Sequence, residues 1–230
     1  MVTVISVLFV CAAKRWHIHQ KDVYTAFLQG DLFDEIYMEF PPRFKSHGES
    51  HAVYDMLVTS TSLQLIEETK TALQQTFQIK DLGELKYFLG IEFARSEKGI
   101  LMHQRIYALE LISELGLGAA KIAKTPLEMN ARLITQEYDD HLKTQESAED
   151  ELLLDLGAYQ RLIGKLLYLT VTRPDLAFCV QTLSQFLQQP KRSHMEATMR
   201  IVRYVKNHPG QGGLLSSNNK GTLEAYYDAD

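Results

Sequence analysis

The sequence predicts an α+β fold, rich in strands in its first half and helical in its second. Two observations carry this. Segments of β-branched, aromatic and apolar residues recur at 18–23, 53–58 and 87–94, the make-up of half-buried strands. Apolar residues at helical spacing fill 61–77 and most of 159–207, the mark of amphipathic helices. A chain of 230 residues with 45% hydrophobic content is long enough to bury a core in one or two compact units.

Each element follows from local chemistry. Ile18-His19-Gln20-Lys21-Asp22-Val23 reads as the end of a short strand, and residues 25–28 turn into a helix or tight bend. Asp22 is thereby expected at a strand terminus, where carboxylates commonly point into a cleft. Residues 53–58, VYDMLV, suit a strand or hairpin with Asp55 near its bend. Two acids on neighbouring strands are a pattern able to hold a divalent metal. Thr61 and Gln64 form a capping box for a helix through Ile66, Leu73 and Phe77, and Gly83 stops that run. Tyr87, Leu89, Ile91 and Phe93 alternate with Phe88, Gly90, Glu92 and Ala94 as one strand; residues 96–99 then turn into a second strand at 100–103.

A helix over 105–115 ends at Gly116 and Gly118, and Thr125-Pro126 breaks the chain again. Residues 137–155 hold eight acids against Lys143 alone and read as a solvated loop or linker. The whole chain carries −5, and without that segment's −7 the remainder carries +2. Helices then run over 159–170, from Pro174 through Leu176, Val180, Leu183 and Leu187, and from a Ser193/Glu196 capping box to Asn207. Three successive helices suggest a small bundle or connection module. Asn207-His208-Pro209-Gly210 and Gly212-Gly213 form a breaker cluster, followed by strands at 214–216 and 222–227.

Several chemistries lack support in these residues. Cys11 and Cys179 lie far apart with no CxxC or Cys/His spacing, so neither a disulfide framework nor a zinc site is indicated and a reducing compartment fits best. His47 and His51 have i,i+4 spacing without a third ligand nearby. Gly210, Gly212 and Gly213 do not open a helix after a strand and are no phosphate cradle. The apolar opening at 2–13 is too short for a bilayer span and lacks the basic start of a signal peptide. Lys191, Arg192, His194, Arg200, Arg203 and Lys206 make the last helix basic, with Arg200 and Arg203 on one face. That face suits either a nucleic-acid backbone, with salt-dependent affinity, or plain solvation.

The DVYTAF core at 22–27, the QGDLFDEIYME continuation at 29–39, YDMLV at 54–58, KDLGELKYFLGIEF at 80–93 and YQRLIGKLLYLTVTRPDLAF at 159–178 together resemble the reverse transcriptase region of copia-type LTR retrotransposon polyproteins. The resemblance runs from about residue 14 to the last residue. It implies a reduced palm-like sheet with helices over 1–135, an acidic linker over 136–157, a helical connection over 158–208 and an incomplete start of ribonuclease H over 209–230. It also makes residues 2–13 a core helix leading into the DVYTAF strand.

In that family Asp22 would bind both Mg2+ ions of an RNA-directed DNA polymerase. Val23 would offer its carbonyl to the nucleotide and Phe27 would hold the steric-gate position, although core packing is the plain alternative for Phe27. The family's second metal segment reads YVDDM, where this chain has VYDM. Either Tyr54 has replaced the first acid or two residues have been lost, and in both readings Asp55 alone remains. Asp228 matches the first ribonuclease H acid. The family also places many tens of residues of fingers and palm between the two motifs, whereas Asp22 and Asp55 are 33 positions apart here. This implies an internal deletion near 45–52. The resemblance brings RNA template and DNA primer as ancestral partners, no membrane, and a cytoplasmic or nuclear setting. The expectation is a degenerate polymerase fragment without catalysis. The alternatives are a residual nucleic-acid or protein interaction module, and a relic with no selected function.

Overall fold

The computed structural model describes residues 2–24, 53–76, 79–128, 133–135 and 150–218. The chain divides into two compact units: residues 1–89, 93–100 and 215–230, and residues 90–92 and 101–214.

In the first unit, helix α1 (Val2–Lys14) buries Leu8, Cys11 and Ala12, an i, i+3, i+4 stripe. It ends in a Schellman motif: Trp16 N–H donates to the Cys11 carbonyl at 2.9 Å and Arg15 N–H to that of Ala12 at 3.3 Å. Arg15 stands at the left-handed position usually given to glycine, with φ 55°. Strands β1 (His17–Tyr24), β2 (Val53–Ser60) and β3 (Ile79–Glu84) form a sheet in the order β2-β1-β3, and both pairings are antiparallel. Asp22 thus lies inside β1, two residues before its end. The pairing slips between Gln20 and Lys21, leaving Leu82 as the extra residue of a bulge, and Gly83 with φ 76° supplies the left-handed backbone beside it.

Helix α2 (Leu63–Thr76) buries Ile66. Its start corrects the expected capping box. The helix begins one residue after Ser62, whose N–H is held by Ser60 Oγ at 3.2 Å, and Gln64 Nε2 reaches forward to Glu68 Oε1 at 3.0 Å instead of back.

A second sheet has the order β4 (Tyr87–Phe88), β5 (Ile91–Ser96), β6 (Gly99–His103), β7 (Gly212–Ser216). The single strand expected over 87–94 is two, because Leu89 (φ 49°) and Gly90 (φ 73°) make a two-residue turn. The residues flanking this turn, Phe88 and Ile91, are both buried, so the alternation changes phase there: Phe88, Ile91 and Phe93 face inward while Tyr87 and Leu89 are exposed. The glycines at 99 and 212 are demanded by close approach. A Cβ on Gly99 would lie 2.0 Å from the Leu215 carbonyl oxygen, and one on Gly212 at 2.0 Å from that of Met102. Gly212 and Gly213 therefore open β7, where the sequence suggested a chain break.

The second unit is helical. Helices α3 (Arg105–Glu114), α4 (Leu156–Leu169), α5 (Ala177–Ser184) and α6 (Arg192–Asn207) enclose one core. α4 contributes Tyr159, Leu162, Ile163, Leu166 and Leu169, α5 gives Cys179, Val180 and Leu183, and α6 gives Ile201, Val202 and Val205. Each fully buried aliphatic side chain there contributes about 1.5–3 kcal/mol. Tyr159 keeps its hydroxyl satisfied by donating to the Leu183 carbonyl at 2.7 Å, and burial pushes its pKa up to about 12.

The end of the acidic segment is docked by its backbone and by Asp150, while Glu151, Leu152, Leu154 and Asp155 keep exposed side chains. Leu152 bridges Lys191, Leu153 N–H donates to the Pro190 carbonyl at 2.9 Å and Arg192 N–H to that of Glu151 at 2.9 Å. Asp150 accepts from Ser193 N–H at 3.0 Å and from Ser193 Oγ at 2.5 Å. A residue 43 positions away thus caps α6, and the expected Ser193/Glu196 box is replaced. His194 Nδ1 accepts from Lys191 N–H at 3.0 Å, while Glu196 pairs with Arg192 at 3.4 Å. Replacing Asp150 by Ala is expected to lower stability by about 1 kcal/mol, the usual worth of a cap, read as a fall in the urea midpoint with unchanged slope.

Candidate functional site

The site begins with a repeated dipeptide. β1 carries Lys21-Asp22 and β3 carries Lys80-Asp81, and successive strand residues point to opposite faces. Antiparallel pairing sets the two dipeptides crosswise, Lys21 opposite Asp81 and Asp22 opposite Lys80. Each face therefore receives one acid and one base.

On the first face, Lys21 is fully buried with its Nζ 2.5 Å from Asp81 Oδ1. Lys70 of α2 binds the other oxygen of the same carboxylate, and Gly83 N–H donates to Oδ1 at 3.1 Å. Burial works against the charge on Asp81. The hydrogen bonds from Lys21, Lys70 and Gly83 outweigh it and hold the carboxyl well below the usual range.

Along the other edge of β1, β2 pairs in a register that sets Asp55 opposite Asp22 and Tyr54 opposite Val23. The register row across three strands reads Asp55, Asp22, Lys80. The backbone positions of the two acids that the sequence singled out are thus aligned, next to a lysine position that it did not. The signal was available in the recurrence of Lys-Asp, but only pairing reveals its meaning.

A two-metal centre needs carboxylates disposed around ions about 3.5–4 Å apart. Among the described residues no group of three or more His, Cys, Asp or Glu side chains is placed to hold a metal ion. Phe27, Asp228, His47 and His51 lie outside the described residues.

The basic helix is largely engaged within its own unit. Lys191 and His194 are buried. Arg200 Nη1 lies 2.8 Å from Glu128 Oε1 and Nη2 lies 3.2 Å from Thr125 Oγ1. Lys206 Nζ donates to the carbonyls of Gly118 at 2.7 Å and Ala120 at 2.6 Å, and the Arg203 carbonyl accepts from Ala123 N–H at 3.2 Å. These bonds fasten the irregular segment after α3 to α6. Among the described residues no helix is long and apolar enough to cross a membrane.

Comparison with known proteins gives a consistent picture. Residues 51–129 match the family described as reverse transcriptase (RNA-dependent DNA polymerase). The chain is 31% identical over 279 positions to the retrovirus-related Pol polyprotein from transposon RE2 of Arabidopsis thaliana, covering 97% of this chain and 18% of that protein. It is 26% identical over 289 positions to the Pol polyprotein from transposon TNT 1-94 of Nicotiana tabacum, covering 100% of this chain and 21% of that one. An uncharacterized mitochondrial protein of Arabidopsis thaliana is 30% identical over 180 positions, 77% of this chain and 69% of its own length. No solved structure matches. The chain spans about a fifth of the length of the Pol polyproteins it matches. Its mixed helices and antiparallel sheets are compatible with a reverse transcriptase-like domain, and the chain belongs to the reverse transcriptase family of copia-type retrotransposon Pol polyproteins.

Proposed function

We propose that this chain is a degenerate piece of a retrotransposon RNA-directed DNA polymerase that no longer catalyses nucleotide addition. Reverse transcriptases work with divalent metal ions on nucleic acid. The observation that carries the proposal is the register row: Asp22 has Asp55 on one side and Lys80 on the other, and Tyr54 stands opposite Val23. A positioned ion is worth several kcal/mol of transition-state stabilisation, and each 1.4 kcal/mol is tenfold in rate.

The alignments support a lost segment as well. The RE2 match runs over 279 positions, more than the whole 230-residue chain holds, so that relative carries residues with no counterpart here. The mitochondrial match covers 77% of the chain in 180 positions, almost residue for residue. That contrast is what a deletion in the remaining quarter produces, and the interval between Asp22 and Asp55 is where we assign it. Without that segment the nucleotide loses the positioning on which phosphoryl-type transfer mostly depends. In this reading residues 1–135 are the reduced palm-like region, 158–208 the connection and 209–230 the start of ribonuclease H with Asp228. Val23 and Phe27 keep the places, not the work, of nucleotide contacts. The bonds made by Arg200 and Lys206 favour a structural role for the basic helix over a nucleic-acid surface.

The test is primer extension on an RNA template by the purified chain with Mg2+ or Mn2+. No extension above that of an Asp22→Asn variant is expected. Extension that Asp22→Asn abolishes would overturn the proposal.

A further inference from the structure

The end of α1 and the turn between β5 and β6 border a cavity of about 170 Å3 that lies wholly within the first unit. We propose that this cavity is a binding site for a phosphate group, held between the guanidinium groups of Arg15 and Arg95. The site goes beyond the polymerase reading and does not depend on Asp22 or Asp55.

Positive charge is concentrated here. Residues 14–15 and 95–98 hold four cations, Lys14, Arg15, Arg95 and Lys98, against the single acid Glu97, on a chain that carries −5. Arg15 and Arg95 line the cavity together with Ser96, Glu97, Gly99 and Ser217. Arg95 is exposed, and among the described residues no ion pair engages it. Its charge is nevertheless felt in α1: burial pushes the Cys11 thiol up, while a hydrogen bond with Thr59 and the Arg95 charge oppose that rise. Among the described residues the Arg15 guanidinium has one partner, Glu97 at 3.5 Å, whose side chain is 93% exposed. A pair so exposed is worth little and yields to a better anion. Ser96 Oγ accepts from Lys98 N–H at 3.3 Å, which leaves its own O–H to donate. Ser217 donates through Oγ to the Glu97 carbonyl at 2.7 Å and through N–H to that of Lys98 at 3.0 Å, tying the turn to the end of β7.

The backbone adds an independent observation. Arg15 ends α1 at φ 55°, a conformation that glycine adopts without strain and arginine does not. A guanidinium is thus kept where the fold alone favours glycine. Size and shape select the anion. A water takes about 30 Å3 of liquid, so the cavity has room for a tetrahedral oxyanion, and guanidinium forks match phosphate oxygens bidentately. Two sources carry this group: a phosphate monoester and the phosphodiester of a nucleic-acid strand.

The experiment follows the Ser96 and Gly99 backbone amide signals of the full chain during titration with inorganic phosphate, with sodium acetate, and with a short oligothymidylate that lacks terminal phosphates. Saturable phosphate binding that weakens with added salt is expected, with acetate about fivefold weaker or more. Arg95→Gln is expected to weaken phosphate binding about tenfold, and Glu97→Gln to tighten it about twofold. Lys121→Gln, at an exposed lysine of the second unit, is expected to leave it unchanged. Arg15→Gly separates binding from folding: phosphate binding is expected to weaken about tenfold while the urea midpoint holds or rises, because glycine suits the position. Oligothymidylate bound more tightly than phosphate, and lost in Arg15→Gly, assigns the site to a strand; phosphate bound without oligothymidylate assigns it to a monoester. Absence of saturable phosphate binding, phosphate binding that survives both Arg15→Gly and Arg95→Gln, or acetate binding as tight as phosphate overturns the proposal.

Discussion

Asp81→Asn is expected to destabilise the three-stranded sheet by about 3–5 kcal/mol, the usual cost of leaving one member of a buried ion pair without its partner. The reason lies in Lys21, whose side chain is 1% exposed and bonded to Asp81. Asparagine keeps the shape of the side chain but not its charge, so the ammonium group is left in a site that water does not reach. Trp16 is the single tryptophan of the chain and precedes β1, so its fluorescence during urea unfolding reports on this unit. Lys21→Met makes the contrast. It removes the buried charge itself and leaves Asp81 with Lys70 and the Gly83 N–H, for an expected loss of about 1 kcal/mol. Equal losses in both variants would show that packing, not charge, holds this face.

The same carboxylate fixes a pH dependence. Its folded pKa lies below the unfolded value of about 3.9. Its contribution to stability is therefore fully present above that unfolded value and is lost as pH falls through the folded one. The stability of the unaltered chain is expected to drop more steeply from pH 5 to pH 3 than that of Asp81→Asn, which has no proton to take up at this position.

How far the sequence revealed this molecule depended on what holds each element. The helices of the second unit were legible because Leu162, Ile163 and Leu166 repeat at the helical period and face one core. β3 was not, because Ile79–Glu84 offers only Ile79 and Leu82 as apolar residues and is secured by ion pairs to β1 and α2. Helix starts were misplaced where the cap comes from elsewhere, as with Asp150 on Ser193. Asp22 was marked by its motif, and the structure sets Asp55 opposite it. Lys80 was passed over, since its nearness to Asp22 is a matter of register between strands 58 residues apart in sequence. For the basic helix composition counts charges but not their partners, and Arg200 and Lys206 are bonded to Glu128, Thr125, Gly118 and Ala120.

The second large effect is expected at the Thr172-Arg173-Pro174-Asp175 turn between α4 and α5. Arg173 is 2% exposed. Its Nε and Nη2 donate to the two oxygens of Asp175 at 2.9 and 2.7 Å, and Nη1 donates to the His208 carbonyl at 3.2 Å. The guanidinium carbon sits 5.6 Å from the Tyr204 ring centre, and the Tyr204 hydroxyl closes the set on Asp175 at 3.3 Å. The hydrogen bonds from Arg173 hold the Asp175 carboxyl below its ordinary range against the opposing effect of burial. One planar, bidentate group thus ties the turn to the end of α6, a task that a lysine's point charge does not reproduce. Asp175→Ala strands a buried guanidinium with one carbonyl partner and is expected to cost about 3–5 kcal/mol. The readout is loss of far-UV helical signal at lower urea, together with faster hydrogen exchange in α5 and α6. Breaking the more exposed Arg200 pair by Glu128→Ala is expected to cost no more than about 1 kcal/mol. A loss at Asp175 no larger than that at Glu128 would mean that the turn is held by its apolar neighbours alone. The double change Arg173→Met with Asp175→Leu separates the two accounts further: removing both charges is expected to recover most of the stability that Asp175→Ala loses, whereas a turn that depends on the bidentate geometry itself would stay unstable.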